Sequence, residues 1–256
     1  MTNAQVWETA LRQSARDSNC RPEDFCSAGN VIVRSAANPL ARRYLKLPFL
    51  LDLTSYGTNV VASVSEELEG VAREYLEKIS GHSCFETPAL LVLSERLKRY
   101  GCDVCFMAEY FLPDVSAVRR TGCEPEIRML GREELREYYL PEWRNALCRE
   151  RSELDRLAAG AFDGGKLVGL AGCSADCSEM WQIGVDVLSE YRRRGIASAL
   201  TARLAAELLE REIVPFYCCA WSNLASARNA IRSGFRPAWV QLTAKKLGEI
   251  RELNRI

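Results

Sequence analysis

The sequence predicts an α/β fold of the α+β type, a mixed, mostly antiparallel central sheet flanked by helices, preceded by a smaller α/β domain. Three observations carry this. Two apolar runs flank Asp163-Gly164-Gly165, the pattern of a β-hairpin. Ile213–Ala220 is continuously apolar, as expected of a strand in the middle of a sheet. The order strand, helices, hairpin, strand, helix, strand, helix, strand does not alternate regularly enough for a doubly wound fold.

Taken in order, Glu126–Leu130 is a short strand, and Leu135, Tyr138, Tyr139, Trp143 and Leu147 have helical spacing over Gly131–Leu147. A second helical stretch runs through Leu154 and Leu157. Ala159–Phe162 and Lys166–Gly172 form the hairpin strands, and Met180–Leu188 is the next strand. A long helix is expected from about Ile196 to Arg211, with Leu200, Leu204, Leu208 and Leu209 making one buried stripe. Ala225–Ser233 is a short helix stopped by Gly234, and Phe235–Leu242 is the last strand.

In the N-terminal half, Phe49–Ser55 and Asn59–Val64 read as strands around Tyr56-Gly57. Ser65 is expected to cap a helix running to about Ile79. Pro88–Tyr100 is a helix closed by Gly101, followed by a strand at Val104–Phe111. Leu112–Pro125, with Pro113, Gly122 and Pro125, is the expected boundary. Residues 1–120 thus form an N-terminal α/β domain and residues 126–245 a second one.

Composition excludes several classes. The chain has 256 residues, of which 48% are hydrophobic and 27% charged, an ordinary mixture for a domain that buries a core. Thirty-four basic residues balance 34 acidic ones, so nothing draws the whole chain to nucleic acid or an anionic membrane. The polar N-terminus lacks a secretory signal and no long apolar run occurs, so a cytoplasmic protein is expected. Eleven cysteines, an odd number, include Cys102-x-x-Cys105 but no second such pair, and His82 is the single histidine. Reduced, buried thiols without a metal are the expectation.

The segment Gly184–Thr201 carries the chemistry. A strand delivers the chain to the tight turn Arg192-Arg193-Arg194-Gly195-Ile196-Ala197, which opens the long helix. Backbone N–H groups of Arg193–Ala197 fall in the first turn, where a helix leaves its donors without internal partners. The helix dipole adds positive character there, so the turn suits a diphosphate. Gly195 keeps a side chain out of the approach. Three arginines at a helix start oppose the dipole, which suggests a bound anion offsets the repulsion. No GxxxxGK[ST] or three-glycine dinucleotide pattern occurs.

Arg192–Ala197 is similar to the [Q/R]-x-x-G-x-[G/A] signature of the GCN5-related N-acetyltransferase (GNAT) superfamily. Asn223-Leu-Ala-Ser226 followed by Gly234-Phe235 resembles that family's second motif. The resemblance covers roughly Glu126–Thr243. It implies transfer of an acetyl group from acetyl-CoA, as cosubstrate and without a metal, to a primary amine; a small-molecule acceptor is the leading expectation, with an amino sugar, an antibiotic, a peptide N-terminus and a lysine all open. It implies that backbone groups of Val185 and Val187 pair with the pantetheine arm, that amides of Arg193–Ala197 hold the pyrophosphate, and that Asn223 and Ser226 touch the arm. Asn223 also reads as a plain N-cap. Where many members of the family carry a tyrosine that protonates the leaving thiolate, this chain has Ala230.

Asp186 and Glu179 are the candidate bases, being acidic on or beside the central strand, with Asp176 a weaker one. Cys219 is rejected as a nucleophile, because no histidine is near and its strand is apolar. Trp221 either lines an acceptor pocket or packs at the strand end. The rival reading is an acyl-CoA-binding sensor or scaffold without catalysis, which Ala230 favours. A third places the function in the N-terminal half, whose strand–helix–helix–strand order permits a degenerate second unit of the same kind but which lacks a comparable turn.

Overall fold

The computed structural model describes residues 1–79 and 81–254. The chain divides into two compact units that interleave along the sequence. One comprises residues 1–10 and 111–237, the other residues 11–110 and 238–256.

The second unit has a sheet of five strands in the order β1 (Val31–Arg34), β3 (Val61–Val64), β2 (Leu51–Ser55), β10 (Phe235–Lys246, from Ala238) and β4 (Cys102–Pro113, to Tyr110). β1 and β3 are parallel, whereas β2 runs antiparallel to both β3 and β10. Helices α2 (Glu69–Lys78) and α3 (Thr87–Lys98) supply Tyr75, Leu93 and Leu97 to a core shared with Leu51, Leu53 and Leu242. Ser65 begins this helical stretch without a side-chain cap bond, and the first turn is 3₁₀. Helices α1 (Asn3–Ser18) and α6 (Leu247–Asn254) and strand β1 have no counterpart in the sequence reading. Within this core Asp52 is fully buried. Gln241 Nε2 donates to its Oδ1 at 2.8 Å and Thr54 Oγ1 to its Oδ2 at 2.9 Å. Burial pushes the Asp52 carboxyl up to about 6, against these donors, which pull it down.

The first unit contains strands β9 (Val214–Ala220), β8 (Met180–Val187), β7 (Lys166–Ser174), β6 (Asp155–Asp163) and β5 (Glu126–Gly131), hydrogen-bonded in that order. All neighbours are antiparallel except β8 and β9, which are parallel. Helix α4 (Ile196–Glu210) buries Leu200, Leu204 and Leu208 against Val168, Ala171 and Ile183 of the sheet. Helix α5 (Leu224–Arg232) ends at Gly234, whose φ is 91°. Among the described residues no helix is long and apolar enough to cross a membrane.

The helical spacing over residues 131–157 is not realised as α-helix. Glu134–Tyr138, Pro141–Trp143 and Arg149–Leu154 form short 3₁₀ turns, and Leu157 lies on β6. Pro141 denies a helix one N–H and crowds the preceding turn. Further on, the N–H groups of Asn145 and Ala146 donate to Asp186 Oδ2 at 2.8 and 2.9 Å, while Asn145 Nδ2 reaches Oδ1 at 2.6 Å. Leu135, Trp143 and Leu147 are buried all the same. The loop lies against the sheet where glycines leave room. A Cβ at Gly184 would overlap the Asn145 carbonyl, and one at Gly172 the Ala146 carbonyl.

Two outcomes follow. Gly184→Ala must push the loop off β8, a loss of about 1–3 kcal/mol in chemical denaturation. The folded pKa of Asp52, about 6, lies above the unfolded value near 4. The folded state holds this proton more tightly, so its contribution is most favourable below pH ~4 and is lost as pH rises through 6. Asp52→Asn therefore gains stability relative to the natural chain between pH 4 and 6, on the order of 3 kcal/mol in all, measured by denaturation across that window.

Candidate active site

Strand β8 is paired with β7 along most of its length, from Gln182↔Ser174 to Val187↔Gly169. Its pairing with β9 is brief, covering only Met180–Gln182 with Val214–Phe216. Beyond that point the two parallel strands part, and the backbone of Val185 and Val187 faces a cleft instead of a ladder. An open strand edge offers N–H and C=O groups to any extended ligand that lies along it. Arg192 Nε donates to the Val187 carbonyl at 3.1 Å, so that acceptor already has a partner.

The turn after β8 places two residues at positive φ, Arg193 at 65° and Gly195 at 78°. The left-handed region is disfavoured for side chains, so Gly195 is the residue that lets the chain reverse directly into α4. A Cβ there would touch nothing, since the position opens outward. The first bond of α4 runs from Ala199 N–H to the Gly195 carbonyl at 3.0 Å. The N–H groups before Ala199 lie outside the helical ladder and, with the helix dipole, make an electropositive end.

A cavity of about 760 Å³ joins these features. Its lining includes nine of the residues that the resemblance assigns to the cofactor: Val185, Val187, Arg192, Arg193, Gly195, Ile196, Ala197, Asn223 and Ser226. Arg194 is not among them. Its guanidinium sits over the Tyr191 ring, 5.2 Å from the centroid. Asn223 caps α5, its Oδ1 accepting from Ser226 N–H at 3.1 Å. Arg228 and Arg232, one turn apart on α5, add positive charge to the same wall, a spacing the sequence displays but that was not read as part of the site.

A second cavity, of about 410 Å³, has Arg144, Arg151, Asp155, Asp176, Gln182 and Cys218 in its lining. Five residues line both: Asn145, Val185, Tyr217, Asn223 and Ser226. The two spaces therefore meet where β8 and β9 separate. Tyr217 is buried and its hydroxyl lies 2.8 Å from Ser226 Oγ. Burial, offset by the hydrogen bond from Ser226, holds its phenol above the ordinary range.

The acidic residues fall in unequal places. Asp186 lines the larger cavity, but its oxygens accept the three bonds from Asn145 and Ala146 described above, so it braces the loop. Glu179 precedes β8, its carbonyl accepting from Val214 N–H, and it lines neither cavity. Asp176 is buried, with Arg151 Nε 3.4 Å from its Oδ1. Asp155, absent from the sequence reading, is buried beside it. Tyr139 Oη and Cys148 N–H each donate to Asp155 Oδ2 at 3.0 Å. Desolvation, with some repulsion from Asp176, pushes the Asp155 carboxyl up to about 6. No short motif marks it, because its burial depends on the path of the 3₁₀ segment before it. Trp221 is exposed at the end of β9 and lines neither cavity. All eleven cysteines are free thiols.

No curated protein matches the sequence. Several solved structures resemble the fold. A GCN5-related N-acetyltransferase-like protein from Streptococcus suis is 19% identical, with a TM-score of 0.45, over 61% of this chain and 69% of that one. A GCN5-related N-acetyltransferase from Kribbella flavida is 15% identical, with a TM-score of 0.46, over 63% and 65%. An acetyltransferase of the GNAT family from Colwellia psychrerythraea is 16% identical, with a TM-score of 0.43, over 56% and 57%. The chain thus spans less than two thirds of the length of the last two. Residues 124–235 match the family model described as the Acetyltransferase (GNAT) family. That stretch holds the turn, the parted strands and the capped helix, and it is a GNAT-family acetyltransferase domain.

Proposed function

We propose that the chain transfers an acetyl group from acetyl-CoA to the primary amine of a small molecule, by direct attack of the amine on the thioester. The observation that carries this reading is the junction of the two cavities at Val185, Tyr217, Asn223 and Ser226. The larger space runs from there to the electropositive end of α4, which suits a long ligand with a diphosphate at one end. In this reading the N–H groups of Arg193–Ala197 hold the pyrophosphate, aided by Arg193, Arg228 and Arg232. The open edge of β8 at Val185 pairs with the amide groups of the pantetheine arm.

The smaller cavity receives the amine. An amine attacks only in its neutral form, so a proton must first leave it. Asp155 lines that cavity and is ionised above about pH 6, which suits it to accept the proton. Asp186 serves as a brace for the loop rather than as the base. The C–N bond then forms as the C–S bond breaks, and the leaving sulfur takes up a proton. The rival, a module that binds acyl-CoA without turnover, draws support from Ala230, which is buried and has no proton to give.

Calorimetry with CoA and chromatographic detection of free CoA test the reading, since eleven free thiols would obscure a thiol-reactive dye. The natural chain should bind CoA and release it from acetyl-CoA in the presence of at least one member of a panel of primary amines. Charge reversal of Arg193 and Arg228 together to Glu should weaken CoA binding about tenfold or more, ~1.4 kcal/mol. Binding without release with every amine would favour the rival, and no binding would end both readings. With an active amine, kcat/KM should fall as pH drops below about 6, because Asp155 then takes a proton and can no longer act as a base. Asp155→Asn should lower kcat/KM about 10²-fold and erase that inflection.

A further inference from the structure

Acyl transfer leaves a proton deficit at sulfur. The neutral amine loses one proton on forming the amide, while the departing thiolate must gain one to leave as a thiol. Of the five residues that line both cavities, Val185 has no titratable side chain, and the side chains of Asn145 and Asn223 are amides. Asn145 Nδ2 is engaged with Asp186, and Asn223 Oδ1 caps Ser226. The hydroxyls of Tyr217 and Ser226 remain, 2.8 Å apart. Cys218 and Cys219 line only the smaller cavity.

We infer that the Tyr217–Ser226 hydroxyl pair is the proton donor to the departing CoA sulfur, with Tyr217 the catalytic residue and Ser226 its relay. The inference rests on the acyltransferase reading above. As the C–S bond breaks, its electron pair stays on sulfur and takes the Tyr217 phenolic proton. Ser226 hands its own hydroxyl proton to the phenolate and recovers one from water, so the pair returns to its starting state. The amine's proton leaves separately, through the smaller cavity. Burial favours the neutral phenol, so Tyr217 keeps its proton at the pH values where amines become nucleophilic. Its position is fixed by the contacts of its ring with Phe111, edge-on at 6.5 Å between centroids, and with Phe235, tilted at 6.3 Å. A donor on β9 also accounts for how a chain with Ala230 on α5 can still complete the transfer.

The test uses the full-length chain with Tyr217→Phe, which keeps the ring in place, and Ser226→Ala as a second variant. Calorimetry compares CoA with desulfo-CoA, which differs only in lacking the sulfur. The natural chain should bind CoA more tightly than desulfo-CoA. Tyr217→Phe should lose that preference while its affinity for desulfo-CoA stays within about twofold, and Ser226→Ala should lose part of it. With acetyl-CoA and an active amine, Tyr217→Phe should lower kcat about 10²-fold with little change in the KM for acetyl-CoA. Equal sulfur preference in the natural chain and in Tyr217→Phe, or an unchanged kcat, overturns the inference while leaving the acyltransferase reading standing. Failure of the natural chain to bind CoA at all overturns both. If no amine in the panel is active, the two calorimetric comparisons decide alone.

Discussion

The early parting of β8 from β9 is the constraint on which the site depends. Two parallel strands gain from every hydrogen bond they share, yet this pair stops at Gln182 and Phe216. Strand β8 continues to Val187, fully bonded to β7 on its other side. A strand held on one side and open on the other keeps its course and still presents unpaired peptide groups. The ladder therefore gives up local stability to make a cleft with a rigid wall. The turn into α4 and the cap of α5 then follow these same two strands, at the end where they are no longer paired.

An open cleft between strands would tend to close unless something occupied its margin. The segment Trp143–Leu147 does this, and its seat on β7 and β8 is built from two missing side chains and one kind of bond. Gly172 and Gly184 supply room for the carbonyls of Ala146 and Asn145. Asp186 then supplies three acceptor contacts that fix those same residues. A carboxylate accepting backbone N–H groups holds a loop that has no regular structure to satisfy its own donors. The residue that looked chemically reactive in the sequence is occupied in holding the loop, and the loop puts Asn145 where the cavities meet.

The legible parts of the chain are those in which local physics decides. The hairpin at Gly164-Gly165, the α4 stripe of Leu200, Leu204 and Leu208 and the stop at Gly234 all appear where spacing and conformational preference put them. The turn into α4 and the Asn223 cap were legible for the same reason, because a tight turn before a helix and a helix cap are short-range devices. What the sequence hid depends on distant partners. The 131–157 segment has a helical rhythm, but Pro141 and the demands of Asp186, some forty residues away, turn it into 3₁₀ pieces. Asp155 and Tyr217 carry no motif. Each gains meaning from the elements that bury it, and the interleaved units at residues 10, 110 and 237 follow from tertiary contacts that no linker composition announces.

The arginine triplet shows how the same structure reshapes an expectation. Three cations at the positive end of a helix dipole should repel it, and a bound anion is one way to relieve that. Two of the three have local relief of their own. Arg192 donates to the Val187 carbonyl, the acceptor at the end of β8, and Arg194 rests on the face of Tyr191, which favours a cation. Arg193, held at positive φ, is left as the residue of the triplet that faces the cavity without such a contact, and Arg228 and Arg232 join it from α5. The positive field around the α4 terminus is thus assembled from two helices. The triplet contributes to it less by its number than by the turn it forms, which aims the backbone donors at the cavity.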